Sequence, residues 1–263
     1  MTEKKSIISS HFDHMIASSD EKNLMQYGSL TNPRLLRLPY IYIEKKINKF
    51  FDDNKDIEIM TLDYCCGSGI YSIIPIMMNS YVYGIDISLK SVSLAKKRTS
   101  SLTAKNNFKF EQMDAEKLEF DNDKFDLIMS YNSLSYLNLN KSYSELSRVM
   151  SSRGKLIIMD SIGHNIFFKI NRLLNVNKWA NRIAKDIQIL RKKDIDLATK
   201  FFKLEEIRFF GFFSLAFYYL EKKFGFKVHD GLINSIDSLI LKIPFSYLIA
   251  FKYVAIYSKK NKN

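Results

Sequence analysis

Two carboxylates and a run of small residues lie close enough in this chain to build a nucleotide cradle. Leu62-Asp63-Tyr64-Cys65-Cys66-Gly67-Ser68-Gly69 follows Ile57-Glu58-Ile59-Met60-Thr61 and precedes Ile70-Tyr71-Ser72-Ile73-Ile74. The upstream run reads as a buried strand and the downstream run as the start of a helix. A strand that ends in an acid, turns through small residues and opens a helix lets a ligand approach the backbone and meet free N–H groups. An ordinary strand–helix joint has the same pattern, so the downstream context must decide. There, Tyr81-Val82-Tyr83-Gly84-Ile85-Asp86-Ile87-Ser88 reads as a second strand ending in an acid. Asp86 falls roughly 20 residues past the turn, the separation at which an acid meets a ribose hydroxyl pair in a strand–helix–strand unit.

Positioning these groups takes a sheet. Ser88 predicts the cap of a helix that runs through Val92, Leu94 and Ala95 to about Thr103. Its Lys96, Lys97 and Arg98 suit the negative end of the helix dipole. A third strand, 108–113, ends at Asp114. A fourth, 125–130, opens into Tyr131-Asn132-Ser133-Leu134-Ser135-Tyr136-Leu137. A helix over about 139–150 leads through Ser151-Ser152-Arg153-Gly154, read as a turn, to a fifth strand at 155–160. Upstream, Asn32 and Pro33 predict a helix start, and Pro39 predicts a kink or division of that helix. Pro75 predicts a kink within a helix over 70–79. Residues 1 to about 30 are polar and weakly patterned. Strands over about 205–212 and 248–257, with a helix after the first, would close the sheet as an edge hairpin.

The stretch from about 57 to 161 resembles a class I S-adenosylmethionine-dependent methyltransferase. The resemblance is carried by residues 62–69, by Gly84-Ile85-Asp86-Ile87-Ser88, by Asp114 after the third strand, by Phe125-Asp126-Leu127-Ile128, and by Arg148-Val149 with Gly154. It implies an α/β fold: a Rossmann-like seven-stranded sheet, mostly parallel with an antiparallel last strand, and helices on both faces. It implies S-adenosylmethionine as cofactor, met by Asp63, Cys65, Gly67, Gly69, Asp86, Ile87, Asp114, Ala115 and Tyr131. Asp63 would hold the ammonium end, Asp86 the ribose and Asp114 the adenine amino group. Asp114 as a plain cap of the turn at 115–118 is the alternative. Cys65 stands where a glycine is common, so the turn is expected to seat it without a positive φ. Ser135 stands where many relatives carry His. The loop is not of the Asn/Asp-Pro-Pro-Tyr type, which weighs against an adenine or glutamine amide acceptor. By the same resemblance residues 1–56 form a helical cap, in which Tyr40 and Tyr42 either line the cleft or pack. Residues 162–203 form a helical insertion over the acceptor cleft, and 204–263 supply the last strands.

Composition narrows the field. The only cysteines, Cys65 and Cys66, are adjacent, so a disulfide framework is excluded. With four scattered histidines they give no metal-ligand spacing, and no metal is expected. The first residues, Met1-Thr2-Glu3-Lys4-Lys5-Ser6, lack the apolar core of a signal peptide, and a cytoplasmic protein is the expectation. The formal charge of +12 is spread over separate pairs and triplets, which reads as solvated helix faces rather than one nucleic-acid-binding face.

The acceptor side is less explicit. Ser161-Ile162-Gly163-His164-Asn165 follows the fifth strand, where α/β enzymes bind ligands. His164 is therefore the candidate general base, able to take a proton from a hydroxyl. Gly-His-Asn at this place also looks like a subgroup of bacterial small-molecule methyltransferases, although the later Glu-His-Pro of that subgroup is missing near Asp186-Ile187-Gln188. Residues 209–220 are uncharged and aromatic but too short to span a bilayer, which needs about 20 residues. Together with 238–257 they read as core, or as a greasy acceptor pocket or an interfacial membrane contact. The expectation is methyl transfer to a small or lipid-like acceptor, at oxygen, with a peripheral membrane contact as an added possibility and nucleic acid not as a partner. The alternatives are a nucleic-acid methyltransferase, a non-catalytic S-adenosylmethionine-binding module, and a dinucleotide oxidoreductase. The last is disfavoured because Ser72 replaces the third glycine of its fingerprint.

Overall fold

The computed structural model describes residues 2–17, 28–174 and 188–260. Trp179, Arg182 and Lys185, which fall in the expected helical insertion, lie outside the described residues. Strands β1 (Met60–Tyr64), β2 (Tyr81–Asp86), β3 (Phe108–Gln112), β4 (Phe125–Tyr131), β5 (Met150–Ser161), β6 (Phe202–Phe210) and β7 (Lys252–Lys259) form one seven-stranded sheet in the order β3-β2-β1-β4-β5-β7-β6. The pairs among β1 to β5 are parallel, and β7 runs antiparallel to both β5 and β6. A mostly parallel sheet has to be covered on both sides, and its central strands show how. Leu127, Met129, Ile157, Met159, Val254 and Ile256 bury against α2 (Leu38–Asp52) through Tyr40, Ile43, Ile47 and Phe51. Their neighbours Ile128, Leu156, Ile158, Tyr253, Ala255 and Tyr257 point the other way, to α5 (Leu139–Val149) and α7 (Lys192–Ala198). The helices α3 (Ile73–Met77) and α4 (Leu89–Leu102) bury Ile76, Val92 and Ala95 against Val82 and Phe110.

Several boundaries depart from the sequence expectation for identifiable reasons. Pro39 divides the expected helix rather than kinking it: a single 3₁₀ turn, Arg34–Leu36, precedes α2. The proline lies in the first turn of α2, where no N–H partner is required. Residues 151–154 are not a turn but the start of β5, because Ser151 Oγ and Arg153 donate to the buried Asp126 of β4 at 2.8 and 2.7 Å. Asp126 also accepts Met60 N at 3.2 Å, so this carboxylate ties three strands together at their amino ends. The helix expected over 70–79 shortens to α3, and the turn before it lengthens. The polar segment 1–30, whose residue pattern alone marks no helix, contains α1 (Glu3–Ala17), which packs on α4. α6 (Ile166–Leu174) follows β5.

Between β6 and β7 stand α8 (Phe213–Phe224) and α9 (Asp230–Ile240). Asp237, near the end of α9, reaches the start of α8 and accepts Phe212 N, Phe213 N and Ser214 N at 3.2, 2.7 and 3.0 Å, and Ser214 Oγ at 2.7 Å. A carboxylate at a helix N-terminus is favoured both by the unpaired N–H groups and by the dipole. Because it joins the end of one helix to the beginning of the other, the two helices run antiparallel. Asp237→Ala leaves those donors buried without an acceptor and is expected to cost about 2–4 kcal/mol, read as a lower urea midpoint at constant slope.

Candidate cofactor site

The turn after β1 is held by contacts that its residue types permit. Cys66 N donates to Ile85 O of β2 at 2.8 Å, and Gly69 N to Cys66 O at 3.0 Å. Gly69 adopts φ +71°, and a Cβ there would fall 2.9 Å from Ala95 Cβ of α4. Gly67, at φ +52°, differs: a Cβ would meet nothing within 4 Å, so its face is open. Cys65 also takes a positive φ, 60°, against the expectation that it would avoid one. The turn keeps the path that glycine usually allows, and the cysteine carries the strain. Arg98, expected only to complement the dipole of α4, is buried and donates Nε to Ser68 O at 2.9 Å.

Three carboxylates converge on this turn. Asp63 is 2% exposed at the end of β1 and accepts Ser72 Oγ at 2.5 Å. Burial pushes its carboxyl up to about 7, the neighbouring Asp86 adds to that, and the Ser72 hydroxyl opposes it. Asp86, at the end of β2, accepts Gly67 N and Ser88 N, both at 2.9 Å. Burial raises its carboxyl too, offset by those two donors. Asp114 accepts Glu116 N at 3.0 Å and so does cap the turn that follows. It also meets Lys5 Nζ at 2.6 Å, and the same ammonium reaches Glu116 at 2.8 Å. Lys5 belongs to α1, which also brings Ile8 and Phe12 to this place.

The loop after β4 forms the opposite wall. Tyr131 stacks on Tyr71 with ring centroids 4.3 Å apart, and Tyr71 stacks on Tyr40 at 5.6 Å. Tyr136 meets Phe12 edge to face at 5.2 Å. Asn132 adopts φ 54° and accepts Lys252 Nζ at 2.5 Å. Lys252 is itself buried and reaches Ser161 Oγ at 3.3 Å. Beside it, Asp160 accepts Leu134 N at 2.9 Å; burial raises its carboxyl to about 6, against the pull of Lys252. Gln188 fixes the loop from outside, its N–H donating to Ser135 O at 3.0 Å and its side chain to Leu134 O and Leu137 O at 3.0 and 2.8 Å.

These walls enclose a cavity of about 460 Å³. Asp63, Cys65, Gly67, Asp86, Ile87, Asp114, Ala115 and Tyr131 all line it. Gly69 is near but spends its small size on Ala95. His164 is not among the lining residues: its ring meets Tyr247 at 5.9 Å, and its Nε2 is buried without a hydrogen-bond partner. Tyr40 and Tyr42 pack instead, Tyr40 behind Tyr71 and Tyr42 with its hydroxyl on Glu206. The open face at Gly67 beside three carboxylates fits a nucleoside ligand with a cationic end.

A family model described as a methyltransferase domain matches residues 55–200, more than half of the chain. The chain belongs to the class I S-adenosylmethionine-dependent methyltransferases. As in others of this family, S-adenosylmethionine is the cofactor. Over 103 residues this methyltransferase is 31% identical to the 2-phytyl-1,4-naphtoquinone methyltransferase of Nostoc punctiforme, covering 38% of this chain and 45% of that one. Over 112 residues it is 27% identical to a sterol 4-C-methyltransferase of Caenorhabditis elegans, covering 42% and 34%. The chain thus spans less than half the length of these relatives. Among solved structures it resembles geranyl diphosphate C-methyltransferase from Streptomyces coelicolor, in complex with Mg2+, geranyl diphosphate and S-adenosyl-L-homocysteine. That likeness has a TM-score of 0.64 at 13% identity and covers 98% of this chain and 99% of the other, which speaks for the fold alone.

Sequence reasoning missed four contributors to the methyltransferase site: Lys5, Phe12, Asn132 and Lys252. The last pair carried a faint signal, a lysine opening an otherwise apolar strand. Asp63 yields a pH prediction. Its folded carboxyl titrates near 7, above the 3.8 of an exposed carboxylate. The native state then holds a proton that the unfolded chain has lost. Its contribution to stability is full below about pH 4 and falls as the pH climbs through about 7, by on the order of 1.4 kcal/mol for each pH unit between the two values. Urea unfolding of the cofactor-free protein should show this decline from about pH 4 to about pH 7. Asp63→Asn should flatten it and be relatively more stable at the alkaline end.

Proposed function

We propose that this methyltransferase acts on a small lipid-like acceptor, with a hydroxyl oxygen as the nucleophile. The observation that carries the acceptor class is the apolar wall of Ile8, Phe12, Tyr131, Tyr136 and Leu137 facing the carboxylates across one cavity. Such a wall gains about 25 cal/mol for each Å² of apolar acceptor it takes from water. The relatives' names lend support, since a phytyl naphthoquinone, a sterol and geranyl diphosphate all carry isoprenoid bodies.

Bound here, S-adenosylmethionine supplies an electrophilic methyl on a sulfonium cation. The chain contributes position and charge. Asp63 takes the ammonium end, in a setting so desolvated that the pairing is strong. Asp86 already has its plane fixed by Gly67 N and Ser88 N, and it retains lone pairs for ribose hydroxyls. Asp114 shares its carboxylate between Lys5 and the adenine amino group, with Ile87 and Ala115 against the ring. Backbone groups at Cys65 and Gly67 seat the methionine part, and Gly69 shapes the turn behind them. Tyr71 and Tyr131 add an aromatic wall that favours a cation. α1 closes over the site and excludes water, so that alignment rather than chemistry supplies most of the acceleration.

For an oxygen acceptor His164 is the base. Burial, together with Lys169 and Arg191, lowers its pKa, so the imidazole is neutral near pH 7 and can accept a proton. It stands at the carboxyl end of β5, outside the cavity lining, so the acceptor must extend from the cavity towards the loop after β5. A carbon nucleophile is the second reading, favoured by the two neighbours named as C-methyltransferases.

Transfer of labelled methyl to a panel of prenylated quinols, phenols and prenyl diphosphates, with the methyl located by NMR, separates the two readings. For oxygen acceptors His164→Ala should lower kcat by about 10²–10⁴. An unchanged kcat removes its role as base. Asp86→Ala should weaken S-adenosylhomocysteine binding at least about tenfold by calorimetry, equivalent to about 1.4 kcal/mol. Unaltered affinity would contradict the ribose assignment.

A further inference from the structure

The helical pair between β6 and β7 carries an apolar face that the fold leaves uncovered. On α9, Ile233, Asp237 and Leu241 are buried at successive four-residue steps. The opposite side presents Leu232 and Leu239, the latter 68% exposed, and between Gly231 and Leu241 no charged side chain is exposed. The row continues past the helix with Ile243, Phe245 and Leu248, all exposed. Buried and exposed apolar residues on one short helix mean two apolar faces, of which the protein's own core uses one.

Phe245 is the sharpest feature. Pro244 precedes it, Ser246 N donates to Ile243 O at 3.3 Å, and Phe245 has φ 65° and ψ 12°. This is the third position of a tight turn, where the left-handed region favours glycine and a bulky side chain is strained. The ring is nevertheless 70% exposed, so packing within the fold does not compensate for the strain. Strain held at an exposed aromatic points outward, to something the ring meets.

Charge identifies the occupant. Lys222, Lys223 and Lys227 flank the row at the α8–α9 connection, and Lys242 sits beside Ile243; all four are exposed, and none is in an ion pair among the described residues. An uncharged helical face bordered by lysines suits the boundary between acyl chains and anionic headgroups. Its location agrees. Phe210 of β6 and Ser161 of β5 both pair with Lys252 at the start of β7, so α8 and α9 rise from the same sheet edge as Asp63, Asp86 and Tyr131. No described helix is long and apolar enough to cross a membrane, so contact would be with one leaflet.

We infer that the face made by Leu232, Leu239, Ile243, Phe245 and Leu248 docks this methyltransferase on an anionic lipid surface, with the four lysines at the headgroups. The inference stands apart from the acceptor's identity, because docking requires no turnover. The test is co-sedimentation of the full chain with vesicles of phosphatidylcholine alone or mixed with phosphatidylglycerol. Phe245→Gly is the informative variant. It removes the ring and relieves the turn, so its melting temperature should equal or exceed that of the wild type, while vesicle affinity drops at least tenfold. Leu239→Ser should act in the same direction. Changing the four lysines to Gln should abolish the preference for phosphatidylglycerol and the weakening by salt. No binding of wild type to the anionic vesicles overturns the proposal, as does undiminished binding by Phe245→Gly. A wild-type dimer in sedimentation velocity that Phe245→Gly dissociates also overturns it, because the face would then join two copies of this chain.

Discussion

The hydrogen bond from Gly67 N to the Asp86 carboxylate is the contact on which the rest of the site depends. It joins the turn after β1 to the end of β2, so the two sequence motifs become one surface. The bond needs Gly67 to adopt its positive φ, Asp86 to be desolvated, and Ser88 N to hold the other oxygen. Those requirements explain the residue types around it. Gly69 admits α4 against the turn, and Gly84 admits Phe110, whose ring would lie 2.2 Å from any Cβ at that position. Arg98 then closes the outside of the turn at Ser68 O. Small residues here are thus set partly by the ligand and partly by the helix and strand behind.

What was legible in the sequence was local. Asp63, Gly67 and Asp86 follow one another along a strand–turn–helix–strand path, and their spacing alone brings them together. The seven-stranded, mostly parallel sheet and its antiparallel last strand followed from the family resemblance. What was not legible depends on distant pairing. α1 has little amphipathic pattern of its own; its place is set by Lys5 on Asp114 and by Ser9 Oγ on Ile87 O at 3.0 Å. Lys252 reads as an interruption of an apolar strand until Asn132, 120 positions upstream, is seen to accept its ammonium. The early start of β5 is likewise the work of Asp126, whose need for partners overrides the turn propensity of Ser152 and Gly154. Cys65 shows the reverse case: backbone strain was judged from residue type, and the tertiary contacts of the turn overruled it.

Electrostatically, the site opposes the rest of the molecule. A chain of net charge +12 gathers Asp63, Asp86, Asp114 and Glu116 around one cavity, with Lys5 as the only basic side chain among the described residues that line it. Burial raises the Asp63 and Asp86 carboxyls, with Asp86 adding to the first and Asp13 to the second, a cost the cofactor-free fold has to bear. A ligand with an ammonium and a sulfonium relieves that cost, so binding energy and stability are linked through the same groups. Lys5 occupies part of this field beforehand and, being on α1, ties that helix to the acidic wall of the cavity.

On the docking inferred above, the lysine-rich exterior would have a use distinct from the acidic interior. Positive potential outside favours approach to an anionic leaflet, whereas the cavity selects a cation. Because β6 ends and β7 begins at the edge where β1, β2 and β3 deliver their acids, a leaflet met by α9 would lie on the cofactor side of the sheet. A lipid-like acceptor then need not cross water to reach the apolar wall of Phe12, Tyr136 and Leu137. An acceptor drawn from the leaflet would exchange one apolar setting for another, with the apolar wall of the cavity replacing the lipid around its reacting end. The cavity can on this account be modest, about 460 Å³, since it has to hold the cofactor and the reacting end of the acceptor while the remaining apolar body stays in lipid.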